Sequence, residues 1–251
     1  MALLEISGLT RSFYGVQAVR GADFAVGAGT ITALIGPNGA GKTTTFQCIS
    51  GVIVPDGGTV RFAGEDITGW TADRITRAGL TRSFQIARGI SRMSVLDNLM
   101  LYAPDQPGEE VLAALLGRGG TREAAIHDRA IGIARRLNLL AVANNSAGAL
   151  SGGQKKLLEL GRALMAEPKL IMLDEPIAGV NPALAEAIAA HIAGLRDDGM
   201  SFLIIEHHMD LIAKLCDPVI VMAEGRVLAE GSFTAIAENA AVREAYLGAR
   251  R

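Results

Sequence analysis

The chain has 251 residues, a hydrophobic share of 49%, an aromatic share of only 4% and a formal net charge of −2. That length suffices to bury a core in one large domain or two small ones, and with so few aromatics the core must be packed by Ala, Leu, Ile and Val. The near-neutral balance supplies no basic field for nucleic acid, which is excluded as a partner.

Short apolar, β-rich runs bounded by turn residues occur at Leu3–Ile6, Ile31–Ile35 and Thr59–Phe62, and again at Leu170–Leu173, Phe202–Ile205 and Val219–Met222. Helical patterns lie between several of them. Thr43–Ile49 follows a glycine-rich loop, Pro182–Leu195 opens with Asn181 as a cap and Pro in the first turn, and Met209–Leu215 is short. Strands alternating with helices indicate an α/β domain with a largely parallel sheet. From about Ile86 to Met165 the pattern changes: strand-like runs are almost absent, and Pro104, Pro107 and Gly117–Gly120 interrupt the helical stretches. Glu123–Leu140 is rich in Ala, Arg, Ile and Leu, which favour helix. The expected organisation is an α/β core over 1–85 and 166–235, a helical insertion over 86–165 and a tail over 236–251.

No apolar run approaches the length of about 20 residues needed to span a bilayer, and Met1–Ser7 has neither the basic region nor the apolar centre of a signal peptide. The expectation is a chain soluble on its own that reaches any membrane through a partner. Cys48 and Cys216 sit in apolar surroundings without metal-ligand spacing and read as reduced core thiols of a cytosolic protein.

Gly36-Pro37-Asn38-Gly39-Ala40-Gly41-Lys42-Thr43 satisfies G-x-x-x-x-G-K-[ST] between a strand and a helix. Its glycines let backbone N–H groups turn inward around phosphates. Lys42 would place its charge on the β- and γ-phosphates, the Thr43 hydroxyl would ligate Mg²⁺, and Thr44 is placed for the α-phosphate side. Leu170–Leu173 ends in Asp174 and Glu175, so an apolar strand delivers two carboxylates at its carboxyl end, where ligands bind in open α/β sheets. Asp174 is a candidate to hold Mg²⁺ through water, and Glu175 to orient or deprotonate an attacking water. A second Gly-Gly turn, Leu150-Ser151-Gly152-Gly153-Gln154, opens another helix and offers a second anion site. At average residue usage this run arises by chance roughly once in a million positions.

Together these runs carry the signature of the ATP-binding cassette family, which the chain resembles over essentially its whole length. The resemblance implies a P-loop NTPase with a RecA-like, mainly parallel core, N-terminal antiparallel β elements and an inserted α-helical subdomain. It implies binding and hydrolysis of ATP with Mg²⁺. Gln85 resembles the glutamine that meets Mg²⁺ and water where the helical insertion begins. His207 resembles the histidine that contacts the γ-phosphate, and Tyr14 the aromatic that stacks on adenine, with Phe13 as the competing ring. In the family arrangement Ser151 and Gly153 contact the nucleotide of an opposite subunit, so that two ATP molecules are sandwiched in a head-to-tail dimer. Two positions depart from the common pattern: Asn181 and His208 stand where many members have Asp.

Gly231-Ser232, the tail Arg243-Glu244-Ala245-Tyr246-Leu247-Gly248, Thr81-Arg82-Ser83-Phe84-Gln85 and Ala178-Gly179-Val180-Asn181-Pro182 resemble the ATPases of branched-chain amino acid importers. The tail also resembles lipopolysaccharide-export ATPases, and urea importers look similar. A soluble cassette ATPase of the iron–sulfur assembly type is the rival from another class; a paired-cassette translation factor would need a second cassette. The partners implied are a second ATPase subunit, identical or paralogous, transmembrane permease subunits and, indirectly, a binding protein. The implied location is the cytoplasmic side of the plasma membrane, held there by the permease.

Overall fold

The computed structural model describes residues 2–83, 90–104, 106 and 120–248. Contacts group the chain into two compact units, one of Met1–Arg82, Lys169–Pro176 and Ala189–Arg251, the other of Ser83–Pro168 and Ile177–Ile188.

In the first unit, β1 (Ala2–Phe13) and β2 (Val16–Gly27) form a long antiparallel hairpin that turns at Tyr14 and Gly15, both with positive φ (49° and 85°). β4 (Gly57–Phe62) and β5 (Glu65–Asp66) complete a four-stranded sheet in the order β2-β1-β4-β5. A six-stranded sheet runs β10-β9-β3-β8-β7-β6. Its strands are β3 (Ile31–Ile35), β6 (Leu80–Arg82), β7 (Leu170–Asp174), β8 (Ser201–Ile205), β9 (Val219–Ala223) and β10 (Arg226–Gly231). All neighbours in it are parallel except β10 against β9. Every residue of β3, β7 and β8 is buried, the continuous apolar pattern of parallel strands covered on both faces. Leu4, Leu34, Phe46, Ile49 and Phe62 pack in the core between the sheets and the helix Lys42–Ile49.

This is the expected α/β architecture with an N-terminal antiparallel sheet, but four strands, β2, β5, β6 and β10, go beyond the sequence pattern. β2 and β10 alternate buried or half-buried residues with exposed ones, including Arg20, Arg226 and Glu230, so their apolar content is diluted. β6 has only three residues and β5 only two.

The second unit contains the helices Val95–Met100, Gly120–Arg136 and Gly152–Met165. Leu99, Ala130, Ala134, Leu137 and Leu160 are buried there, and Gly161 is small because Leu99 and Leu137 press against it: a Cβ would lie 2.8 and 3.2 Å from their methyl carbons. A buried polar pin crosses this unit. Arg162 Nη2 donates to Asn98 Oδ1 at 2.6 Å, and Asn98 Nδ2 donates to the Ser94 carbonyl at 2.9 Å. Among the described residues no helix is long and apolar enough to cross a membrane.

Candidate nucleotide site

β3, β8 and β7 are adjacent and run the same way, so the segments leaving their carboxyl ends converge. The glycine loop follows β3, Glu175 follows β7 and His207 lies two residues past β8. A cavity of about 340 Å³ lies at this edge, lined by Asn38, Gly39, Ala40, Gly41, Lys42, Thr43 and Thr44 from the loop, by Glu175, Ile205 and His207, and by Ala18 of β2.

Two of the loop glycines are fixed by close approach. A Cβ on Gly36, at φ 148°, would lie 2.0 Å from the Met222 carbonyl oxygen, and one on Gly41, at φ 96°, would lie 2.4 Å from that of Ala18. Gly41 stands at the start of the helix Lys42–Ile49, which no side chain caps. The amides of its first turn therefore face the cavity as anion donors. Lys42 is 7% exposed and donates from Nζ to the carbonyls of Gly36 at 2.8 Å and Pro37 at 3.0 Å. Burial pulls its pKa below the usual lysine value, while the charges of Glu175 and Asp174 oppose that shift.

Asp174 is buried, and its Oδ2 accepts from Arg82 Nη2 at 3.0 Å. Arg82, from β6, also places Nη1 3.5 Å from Ser50 Oγ, whose hydroxyl donates to the Phe46 carbonyl at 2.7 Å. One guanidinium thus ties the acidic strand to the end of the phosphate-loop helix. In the sequence Arg82 is part of a family-like run with no sign of this partner, which lies 92 residues away.

Glu175 adopts φ 50°, and its N–H donates to the Ile205 carbonyl at 2.9 Å. A non-glycine residue in that region costs on the order of 1 kcal/mol or more and persists only where its surroundings hold it. Its Oε1 lies 3.1 Å from His207 Nε2. Behind His207, Glu206 is buried, and its Oε2 accepts from the His207 N–H at 2.9 Å.

Tyr14 stands fully exposed at the hairpin tip, whereas the Arg11 guanidinium covers Phe13 at 4.9 Å from the ring centroid. Gln85 lies outside the described residues. Ser151, Gly152, Gly153 and Gln154 belong to the second unit. Ser151 caps the helix Gly152–Met165 in a reciprocal box: Gln154 N–H donates to Ser151 Oγ at 3.3 Å and Ser151 N–H donates to Gln154 Oε1 at 3.0 Å. Gly153 is buried with the Leu184 Cδ2 2.2 Å from where a Cβ would sit, while Gly152 faces open space. Asn181 fills its expected cap position, its Oδ1 accepting from the Leu184 N–H at 2.9 Å. Both thiols are buried.

Mg²⁺ takes oxygen ligands, keeps several waters and is commonly held by one or two protein groups plus substrate phosphates. Among the described residues no three His, Cys, Asp or Glu are arranged to hold a metal by themselves. The Thr43 hydroxyl lines the cavity and suits an ion that arrives on a phosphate chain, whereas Asp174 lies buried behind the lining with one carboxylate oxygen taken by Arg82.

A glycine loop between β3 and its helix, backed by a carboxylate-ended strand, defines a P-loop nucleotide-binding protein. Residues 19–178 match the family described as ABC transporter, and residues 226–251 match the branched-chain amino acid ATP-binding cassette transporter family. The chain is 42% identical over 250 residues to the "Probable branched-chain amino acid transport ATP-binding protein LivG" of Archaeoglobus fulgidus, covering 100% of this chain and 97% of that one. It is 39% identical over 251 residues to the high-affinity branched-chain amino acid transport ATP-binding protein BraF of Pseudomonas aeruginosa, covering 98% of each. The ADP conformation of an ATP-binding cassette of an ABC transporter matches with a TM-score of 0.86 and 37% identity over 99% of both chains. The chain belongs to the ABC transporter family, as an ATP-binding protein of the branched-chain amino acid type.

Proposed function

We propose that this ATP-hydrolysing subunit powers import of branched-chain amino acids, with the residues of the cavity above as its hydrolytic centre. The observation that carries the reading is the pair Glu175–His207, 3.1 Å apart and lining the same cavity as the glycine loop. Residues 36–44 cradle the phosphates with backbone amides, Lys42 neutralises the β- and γ-phosphates, and Thr44 serves the α-phosphate side. Lys42 is held in reach by two loop carbonyls that a phosphate oxygen would replace. Glu175 orients the attacking water and accepts its proton, while His207 holds the Glu175 carboxylate and contacts the γ-phosphate. Thr43 and Asp174, with Gln85, would hold Mg²⁺, which when bound supplies charge neutralisation on the phosphates. Tyr14, whose ring is free where that of Phe13 is covered, stacks on adenine.

Ser151, Gly152, Gly153 and Gln154 close on the nucleotide of a second subunit, either a copy of this chain or a paralogue. Permease subunits hold the pair at the cytoplasmic face of the membrane, and a binding protein outside delivers the substrate to them. The substrate is selected by those partners.

Glu175→Gln tests the centre. Gln keeps the shape but cannot take a proton, so hydrolysis should fall at least about a hundredfold while nucleotide binding persists and sizing in Mg-ATP shows a trapped dimer. An unchanged rate would remove Glu175 from the mechanism. Uptake of labelled leucine by cells with and without the chain tests the substrate class.

A further inference from the structure

Glu206 is a carboxylate with no part in the reading above, yet it is 1% exposed and adjoins His207. Its Oε2 accepts from the His207 N–H at 2.9 Å and the His208 N–H at 3.3 Å, and lies 3.0 Å from His208 Nδ1. Burying a carboxylate is costly unless it is hydrogen-bonded, and charge-assisted bonds to backbone N–H groups are among the strong ones. These bonds determine how the chain turns as it leaves β8. The direction of that turn sets where the His207 ring points, and the ring's Nε2 meets Glu175 Oε1 at 3.1 Å. The carboxylate also has a packed surrounding: burial, then the charge of Glu206, push the nearby Cys216 thiol up to about 12. His208 follows, its ring 60% exposed and anchored by the same oxygen.

We propose that Glu206 is a positioning residue for hydrolysis: its buried carboxylate holds the 206–208 turn so that the His207 ring meets Glu175 and the terminal phosphate. The proposal rests on the reading of His207 as the γ-phosphate contact. A carboxylate that only closed off a strand would affect stability and leave the chemical step alone; a positioning carboxylate acts through His207.

The experiment is a double-mutant cycle on Mg-ATP hydrolysis by the full chain, with Glu206→Gln, Glu206→Asp, His207→Ala and the two double variants. Glu206→Gln keeps volume and loses charge, so kcat should fall roughly ten- to a hundredfold, the scale of a small misplacement of a reacting group, with KM for ATP within about twofold of wild type. Glu206→Asp keeps the charge on an arm one methylene shorter, so it should lose less. On the His207→Ala background neither change should lower kcat by more than about twofold, because residues acting through one another are not additive. Either variant carries the cycle if the other does not fold. Equal fold-losses on both backgrounds, or wild-type kcat in the Glu206 variants, would overturn the proposal. Wild-type hydrolysis by His207→Ala would instead overturn the reading of His207, and Glu206 positioning with it.

Discussion

Two helices begin at glycine-rich turns, and they are built in opposite ways. The helix Lys42–Ile49 starts at Gly41 without a side-chain cap, and remote groups fix its approach: the Ala18 and Met222 carbonyls press on Gly41 and Gly36. Arg82 reaches across from β6 to hold Asp174, whose strand supplies the carboxylates of the same edge. The helix Gly152–Met165 starts with Ser151 and Gln154 bonding each other three residues apart. The first turn leaves amides unsatisfied so that a ligand can take them, and long-range packing keeps it in shape. The second satisfies its own end locally, through the Ser151–Gln154 pair, and needs no remote group to hold it.

Breaking the remote contacts should therefore cost more than breaking the local ones. The largest effect is expected for Arg82→Met, which leaves Asp174 buried and without the guanidinium. Loss of one partner of a buried pair typically costs about 3–5 kcal/mol, read as a lower urea midpoint at unchanged slope. A loss under about 1 kcal/mol would mean that the pair adds nothing to its surroundings.

Gly41→Ala comes next. It forces a Cβ to within 2.4 Å of the Ala18 oxygen at φ 96°, with a strain of about 1–3 kcal/mol, and nucleotide affinity should drop with it in a fluorescent ATP-analogue titration. Ser151→Ala removes the cap of the second helix for about 1 kcal/mol, and the same titration on the isolated subunit should show unchanged affinity. The smallest change is Gly152→Ala. Its methyl meets nothing within 4 Å, so urea stability should stay within about 0.5 kcal/mol of wild type. If Gly152→Ala proved as damaging as Gly41→Ala, the contrast between the two turns would be wrong.

The same contrast decides what the sequence shows. The glycine loop is legible because its spacing is the chemistry, and β3 and the helix Met209–Leu215 appear with the bounds that their patterns suggest. The run Ser151–Gln154 is legible as a turn that opens a helix, but its reciprocal cap emerges only in the folded chain. Arg82 is not legible, because nothing near it in the chain announces a partner 92 residues on. Glu206 looks like an ordinary charged residue beside a histidine, and only the folded chain buries it. β2 and β10 escape notice because their exposed faces carry charge, and the pairing that makes them strands comes from β1 and β9.

The two buried thiols bear on how this protein can be labelled. Burial raises Cys48 to about 11 and Cys216 to about 12, so near neutral pH neither carries the thiolate that reacts with maleimide or iodoacetamide. A cysteine introduced at Val16, which is exposed and two residues from Ala18 at the cavity wall, would take a fluorophore almost alone on the native chain. The native thiols remain silent until their own neighbourhood opens. Cys48 lies in the helix behind the glycine loop and Cys216 next to Glu206. Slow alkylation at each would therefore time the opening of the phosphate side and of the histidine side separately, without any mutation.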